Sequence, residues 1–243
     1  MPYKHILIAV DLTEDCHAVI QRARDLAQCF QAQLSLTHTV EPMAMAFGGD
    51  VPMDLSQLQQ QQFDQAKERM DRLLSELLTL SRLESGMVEH VDEPVDVAEV
   101  LGDVISDAGP QATQAGCVLV FDGGGVPAWV KGDAELLHRV FDNLLRNALT
   151  HAASGKWVRI SVAENDGSVC VRVEDRGPGV LSSETEQIFK PFFRSARSAG
   201  VNGHGLGLVI ARQIVENHGG RIAAENRSEG GLCFSVFLPS TAL

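Results

Sequence analysis

Positive charge is in short supply in this chain: 20 Lys and Arg stand against 32 Asp and Glu, a formal net charge of −12 at pH 7. So acidic a surface argues against nucleic acid or an anionic membrane as a direct partner. A local basic pocket around Arg194 and Arg197 is still free to hold phosphates. No apolar run approaches the ~20 residues of a spanning helix, and no basic-then-apolar leader precedes Ile6, so a cytoplasmic protein without a membrane span is expected. The cysteines exclude a disulfide framework. Cys16, Cys29, Cys117, Cys170 and Cys233 are odd in number, scattered and without metal-ligand spacing, and they read as buried thiols in a reducing compartment. No internal repeat is evident. The length of 243 residues allows one full domain and a smaller piece.

What the chain does have is concentrated after residue 130. Residues 134–152 read as a helix with Asp133 as N-cap and Leu136, Leu137, Val140, Leu144 and Ala148 on its apolar side. Arg139, Asn143, Asn147 and His151 form a second stripe, because steps of four stack side chains on one face. An amide oxygen is a hard ligand that suits Mg²⁺, and its NH₂ donates to a phosphate. The competing reading is a solvated polar face, for which Asn is an odd choice inside a helix.

Two alternating runs, Trp157 to Ala163 and Ser168 to Glu174, joined by ENDG, predict a hairpin ending at Asp175. A carboxylate there can accept from an exocyclic amine such as adenine N6, while glycines at 177 and 179 let backbone approach the ring closely. DRGPG alone is equally a turn. Gly203-His204-Gly205-Leu206-Gly207 leads into an amphipathic helix, roughly Leu206 to Asn217, whose N-terminal N–H groups and positive dipole end suit phosphates. A glycine run before a helix decides little by itself. Arg194 to Asn202, rich in Ser, Ala and Gly, reads as a lid that orders on nucleotide.

Taken in order, FDNLLRNALTHA, EDRGPGV, IFKPFFR, GHGLGLVIARQIVENHGG and GGLCFSVFLP resemble the ATP-binding catalytic domain of bacterial sensor histidine kinases. That domain shares its fold with DNA gyrase, MutL and the large heat-shock chaperones. The resemblance runs from about Ala66 to Leu243 and implies an α/β sandwich, a mixed sheet covered by helices, that binds ATP and Mg²⁺. It makes Asn147 similar to the magnesium-binding asparagine, with Asn143 helping to hold metal and phosphate. Asp175 resembles the adenine-reading aspartate, with Gly177 and Gly179 beneath the base. His151 stands where many relatives set an aromatic ring against the adenine. Phe189, Phe192 and Phe193 match the box that anchors the lid, though they are equally good core residues. Arg194 falls where these kinases place a cation near the γ-phosphate. Gly203, His204, Gly205, Leu206 and Gly207 match the hinge that wraps the phosphates. Asn143, Asn147 and Arg194 are then the catalytic set. One departure is Thr150, at a position often held by Lys.

AKERMDRLLSELLTLSRLESG resembles the second dimerisation helix of these kinases. Met70, Leu73, Leu77 and Leu80, widened by Leu74 and Leu78, make a stripe too apolar for a lone exposed helix, so a homodimer through residues 66–85 is expected. Pro94 and the acidic VDEPVD mark the boundary to the catalytic domain. The family's acceptor segment, His-Glu-Leu-Arg-Thr-Pro in form, does not occur. His5, His17, His38, His90, His138, His151, His204 and His218 all lack that context, and structural or surface roles are expected of His5, His38, His90, His138 and His218.

The first 65 residues read differently. Tyr3 to Val10, Glu14 to Phe30 and Gln33 to Val40 give strand, helix and strand, a partial βαβ Rossmann-like fragment. MPYKHILIAVDLTEDC and the stretch after SLTHTV resemble the opening half of a universal stress protein. Asp11 matches a nucleotide-facing position there, but a neighbour of a helix N-cap is the simpler reading. The expected organisation is a truncated stress-protein fragment at 1–65, the second dimerisation helix and linker at 66–90, and the ATP-binding catalytic domain at 91–243. The resemblance implies phosphoryl transfer to a histidine on another kinase chain, and indirectly to a response regulator. A non-catalytic ATP-binding partner of intact kinases and a universal-stress-type module are the alternatives.

Overall fold

The hairpin expected at ENDG forms the middle of a five-stranded mixed sheet. Strands β6 (Trp157–Asn165) and β7 (Ser168–Asp175) run antiparallel, with Val158 level with Asp175. The full order is β4-β6-β7-β9-β8, where β4 is Val118–Asp122, β8 is Arg221–Asn226 and β9 is Leu232–Pro239. Only the β4–β6 pair is parallel. The computed structural model describes residues 3–11, 16–40, 55–85, 92–123, 128–152, 155–165, 167–195, 197 and 205–241. The chain divides into two compact units, Met1–Leu77 and Leu78–Leu243.

In the second unit, alternation puts Val158, Ile160, Val169, Val171, Val173, Phe234, Val236 and Leu238 on one sheet face, each essentially inaccessible. Three helices cover that face: α3 (Val97–Ala115), α4 (Ala134–His151) and α5 (Gly207–Asn217). The result is the α/β sandwich that the sequence led one to expect. Helix α3 was not foreseen, because Gly102, Gly109 and Pro110 interrupt its pattern. Its ends are nonetheless well specified. The Asp96 carboxylate accepts from Ala98 N at 2.9 Å, and Gly116 closes the helix at φ 62°. Pro94 lies in a short strand, β3 (Glu93–Asp96), which pairs antiparallel with β5 (Trp129–Gly132) beside the main sheet.

The first unit holds β1 (His5–Ala9), α1 (Cys16–Phe30) and β2 (Gln33–Thr37), and its two strands pair in parallel. Ile8, Cys16, Ile20 and Ala23 are buried between helix and strands. The other face shows Leu7 at 68% exposure, left open by the described residues of this unit. Helix α2 spans Leu55–Glu84, so it starts well before the stripe that announced it and is continuous across residue 65. Leu73, Leu80 and Leu83 are buried, while Leu78 is 57% exposed. Among the described residues no helix is long and apolar enough to cross a membrane.

Candidate functional site

Helix α4 carries the polar stripe on a helix whose other side is core. Asp133 caps it, accepting from Glu135 N at 2.8 Å and Leu136 N at 3.1 Å. Leu137, Val140, Leu144 and Ala148 are buried as expected, joined by Phe141, Leu145 and Leu149, while Leu136 is half-buried. Asn143, Asn147 and His151 are half-buried along the neighbouring face. The side-chain Nδ2 of Asn143 is buried and has no hydrogen-bond partner. A buried amide N–H left unpaired costs about 1–3 kcal/mol, so its placement calls for an acceptor that the described residues do not supply.

The N-terminus of α5 stands opposite. A Cβ on Gly207 would come within 3.2 Å of Asn143 Oδ1, so the glycine lets the first turn of α5 close on that amide. The helix starts with no side-chain cap, which leaves its leading N–H groups for a ligand. Leu206, immediately before it, is wholly buried and offers only its backbone. Gly205 lies at φ 68°, and its carbonyl accepts from Phe192 N at 2.9 Å. Gly203 and His204 lie outside the described residues, as does most of the expected lid.

The far end of α4 meets the strand-end acid. A Cβ on Gly177 would lie 2.5 Å from the His151 carbonyl oxygen and 2.9 Å from Asp175 Oδ1, so only glycine passes between them. Asp175 is 3% exposed. Its Oδ1 accepts from Gly177 N at 2.6 Å and Leu232 N at 3.3 Å. Burial pushes this carboxyl above its usual range, against the pull of those two N–H groups and of the Arg227 guanidinium. The His151 imidazole is held below its usual value, first by burial and then by the Arg194 guanidinium, so Arg194 sits within electrostatic reach of the ring. Asn143, Asn147 and His151 thus follow one stripe of α4, with Gly207 against Asn143 and with Gly177 and Asp175 at the His151 end.

The remaining expected positions fall as follows. Gly179 adopts φ 63°, and a Cβ there would lie 2.5 Å from Asn226 Oδ1. Phe189 is buried edge-on to Phe234, while Phe192 and Phe193 are half-buried. Thr150 turns its hydroxyl back to Arg146 O at 2.6 Å. Arg197, read from sequence as a phosphate-pocket cation, donates instead to Pro178 O at 3.0 Å. His5 bonds Ser35 Oγ, His38 bonds Val10 O, and His138 lies 3.4 Å from Asp107. His17's side chain and His90 are outside the described set.

Sequence reasoning missed the turn between β8 and β9. Arg227 donates from Nη1 to Asp175 O at 2.8 Å and from Nε to Glu174 Oε1 at 3.2 Å. Asn226 donates to Val180 O at 2.9 Å and accepts from Val180 N at 3.0 Å. The one available signal was the Gly230-Gly231 pair, which marks a tight turn but does not say what it grips.

Comparison with known proteins finds two family matches, and the N-terminal one extends beyond the first compact unit. Residues 132–242 match the family described as histidine kinase-, DNA gyrase B-, and HSP90-like ATPase, and residues 2–112 match the universal stress protein family. The sensor protein CutS of Streptomyces coelicolor is 33% identical over 240 residues, covering 94% of this chain and 56% of that protein. The chain therefore spans about half the length of that relative. The mycobacterial sensor histidine kinase MprB is 28% identical at a TM-score of 0.56, covering 63% of this chain and all of the solved one. Full-length ShkA in complex with AMPPNP, at 22% identity and a TM-score of 0.69, covers 80% of this chain and 41% of that one and shares the fold.

Proposed function

Since residues 132–242 match the histidine kinase-, gyrase B- and HSP90-like ATPase family and similar proteins include sensor histidine kinases, we propose that this chain binds Mg-ATP and supplies the catalytic module of a cytoplasmic two-component phosphotransfer system. One observation carries the reading: the buried, unpaired Nδ2 of Asn143 beside the uncapped N-terminus of α5. Amide N–H, helix N–H groups and dipole all favour a phosphate at the same place.

The donor set fits the metal as well. Among the described residues no cluster of three or more His, Cys, Asp or Glu side chains exists, so Mg²⁺ would take the amide oxygens of Asn143 and Asn147 together with the nucleotide's own oxygens. When bound, the ion neutralises charge on the phosphates. Asp175 receives the adenine amine through Oδ2, since Oδ1 is already taken by two N–H groups. Gly177 and Gly179 leave room for the base, and His151 packs against it in the neutral form that burial favours. Gly203 to Gly207 wraps the phosphates, with Gly205 and Gly207 fixed at its end. Arg194 balances charge as the γ-phosphoryl group leaves. Such a site does little covalent work, since positioning and charge neutralisation carry most of phosphoryl transfer.

The acceptor is a histidine outside these residues, on a dimerisation helix of another kinase chain, and a response regulator takes the group from there. Functionally the chain divides at 1–65, 66–90 and 91–243, with α2 self-associating through the stripe that includes exposed Leu78. The test is nucleotide titration of the whole chain and of Asn147→Ala. Mg-dependent affinity is expected in the first and lost in the second, with the fold intact. Labelled ATP plus a separate acceptor-helix protein should yield an acid-labile phosphoprotein. Binding without any transfer would instead make the chain a nucleotide-holding partner of intact kinases.

A further inference from the structure

The β8–β9 turn touches the base-reading end of β7 through Arg227 and Leu232. Arg227 is held on four sides: Glu174 carboxylate at 3.2 Å, Asp175 O at 2.8 Å, Gly230 O at 3.3 Å and the face of Trp157 at 5.0 Å. Its side chain is 14% exposed, so the cation is desolvated and its geometry fixed. Gly230 and Gly231 lie at φ 89° and 94°, and a Cβ on Gly231 would sit 2.0 Å from Asp175 O. Two consecutive glycines are therefore needed for the turn to close on that carbonyl. Just beyond, Leu232 N reaches Asp175 Oδ1, and Asn226 pairs with both backbone groups of Val180. The acid and the glycine loop after it are gripped from one side by one turn.

We infer that Arg227 is the positioning residue for base recognition: by fixing the Asp175 peptide between Glu174 and Trp157 it aims the carboxylate at the exocyclic amine of the purine. It does not touch the nucleotide. This rests on the adenine reading of Asp175. After the Gly177 and Leu232 N–H groups, the same guanidinium also opposes the upward push that burial gives the carboxyl, and a carboxylate accepts through both oxygens. Selectivity for an amino-purine over an oxo-purine is thus set in part by a residue on the opposite side of the strand.

The experiment compares ATP with inosine triphosphate, which carries a carbonyl where adenine has its amine, on the full chain and on Arg227→Met. Wild type is expected to prefer ATP, and Arg227→Met to lose about ten-fold of that preference, the worth of about one charge-assisted hydrogen bond, while inosine triphosphate affinity stays near wild type. An equal fall for both nucleotides, or an unchanged preference, overturns the inference. Should Arg227→Met fail to fold, Arg227→Lys keeps a single donor to Asp175 O and is expected to lose a smaller part of the preference; full retention there overturns it too. A wild type that binds ATP without preferring it sinks instead the Asp175 reading beneath.

Discussion

Gly132 and His218 are packed so closely that a Cβ on the glycine would lie 2.2 Å from the ring's Cδ2. The ring is fixed on both nitrogens. Nδ1 donates to Ile214 O at 2.8 Å, and Nε2 accepts from Asp133 N at 3.1 Å. His218 thus ties the C-terminus of α5 to the cap of α4, the two helices that frame the proposed nucleotide site. Gly132→Ala is expected to destabilise the fold by about 1–3 kcal/mol through overpacking. In a double-mutant cycle by denaturant titration, His218→Ala should recover part of that cost, because it removes the clashing ring. Additive losses would refute the coupling.

Replacing the strand-end acid should separate stability from recognition. Asp175 has its carboxyl raised by burial, so between the unfolded value near 3.8 and the folded one the unfolded chain gives up its proton first. Stability falls as pH rises through that window and stays lower above it. Asp175→Asn is expected to melt at or above the wild-type temperature at pH 7, since its Oδ1 still accepts from Gly177 and Leu232. Its NH₂ would then face the purine amine, donor against donor, and ATP affinity should drop by about ten-fold or more.

Asn143→Ala sets a related contrast. Deleting an unpaired buried donor relieves a desolvation cost of about 1–3 kcal/mol, set against some lost packing. Thermal melts should therefore show little or no loss, while Mg-ATP titration shows weakened binding. A variant that loses stability and keeps affinity would mean the amide is structural.

Acid should reveal His151. Its imidazole is held below the ordinary 6.5 by burial and by Arg194, so below pH 6.5 the unfolded chain takes up a proton that the folded chain resists. Stability is full above that pH and declines beneath it. His151→Gln should flatten this part of the pH dependence, read as denaturation midpoints between pH 7.5 and 5.5.

Local pattern carried most of the site. The steps of four in α4, the alternation around ENDG and the glycines before α5 each depend on neighbours in sequence, so their consequences could be read directly. What the pattern could not carry was long-range. Arg227 lies 52 positions from the carbonyl it holds, and nothing in S-E-G-G announces a grip on β7. Helix α3 stayed hidden because Pro110 and two glycines break its periodicity, while its capping by Asp96 acts through geometry. The Arg197 bond to the carbonyl of Pro178 is likewise long-range and has no signal in the local sequence.

Phe192 adopts φ 61°, a cost that few side chains bear, and its N–H bond to Gly205 O brackets residues 193–204. A chain closed at those two positions tolerates insertions between them at small cost, each doubling of the enclosed length adding only about 0.6 kcal/mol of closure entropy.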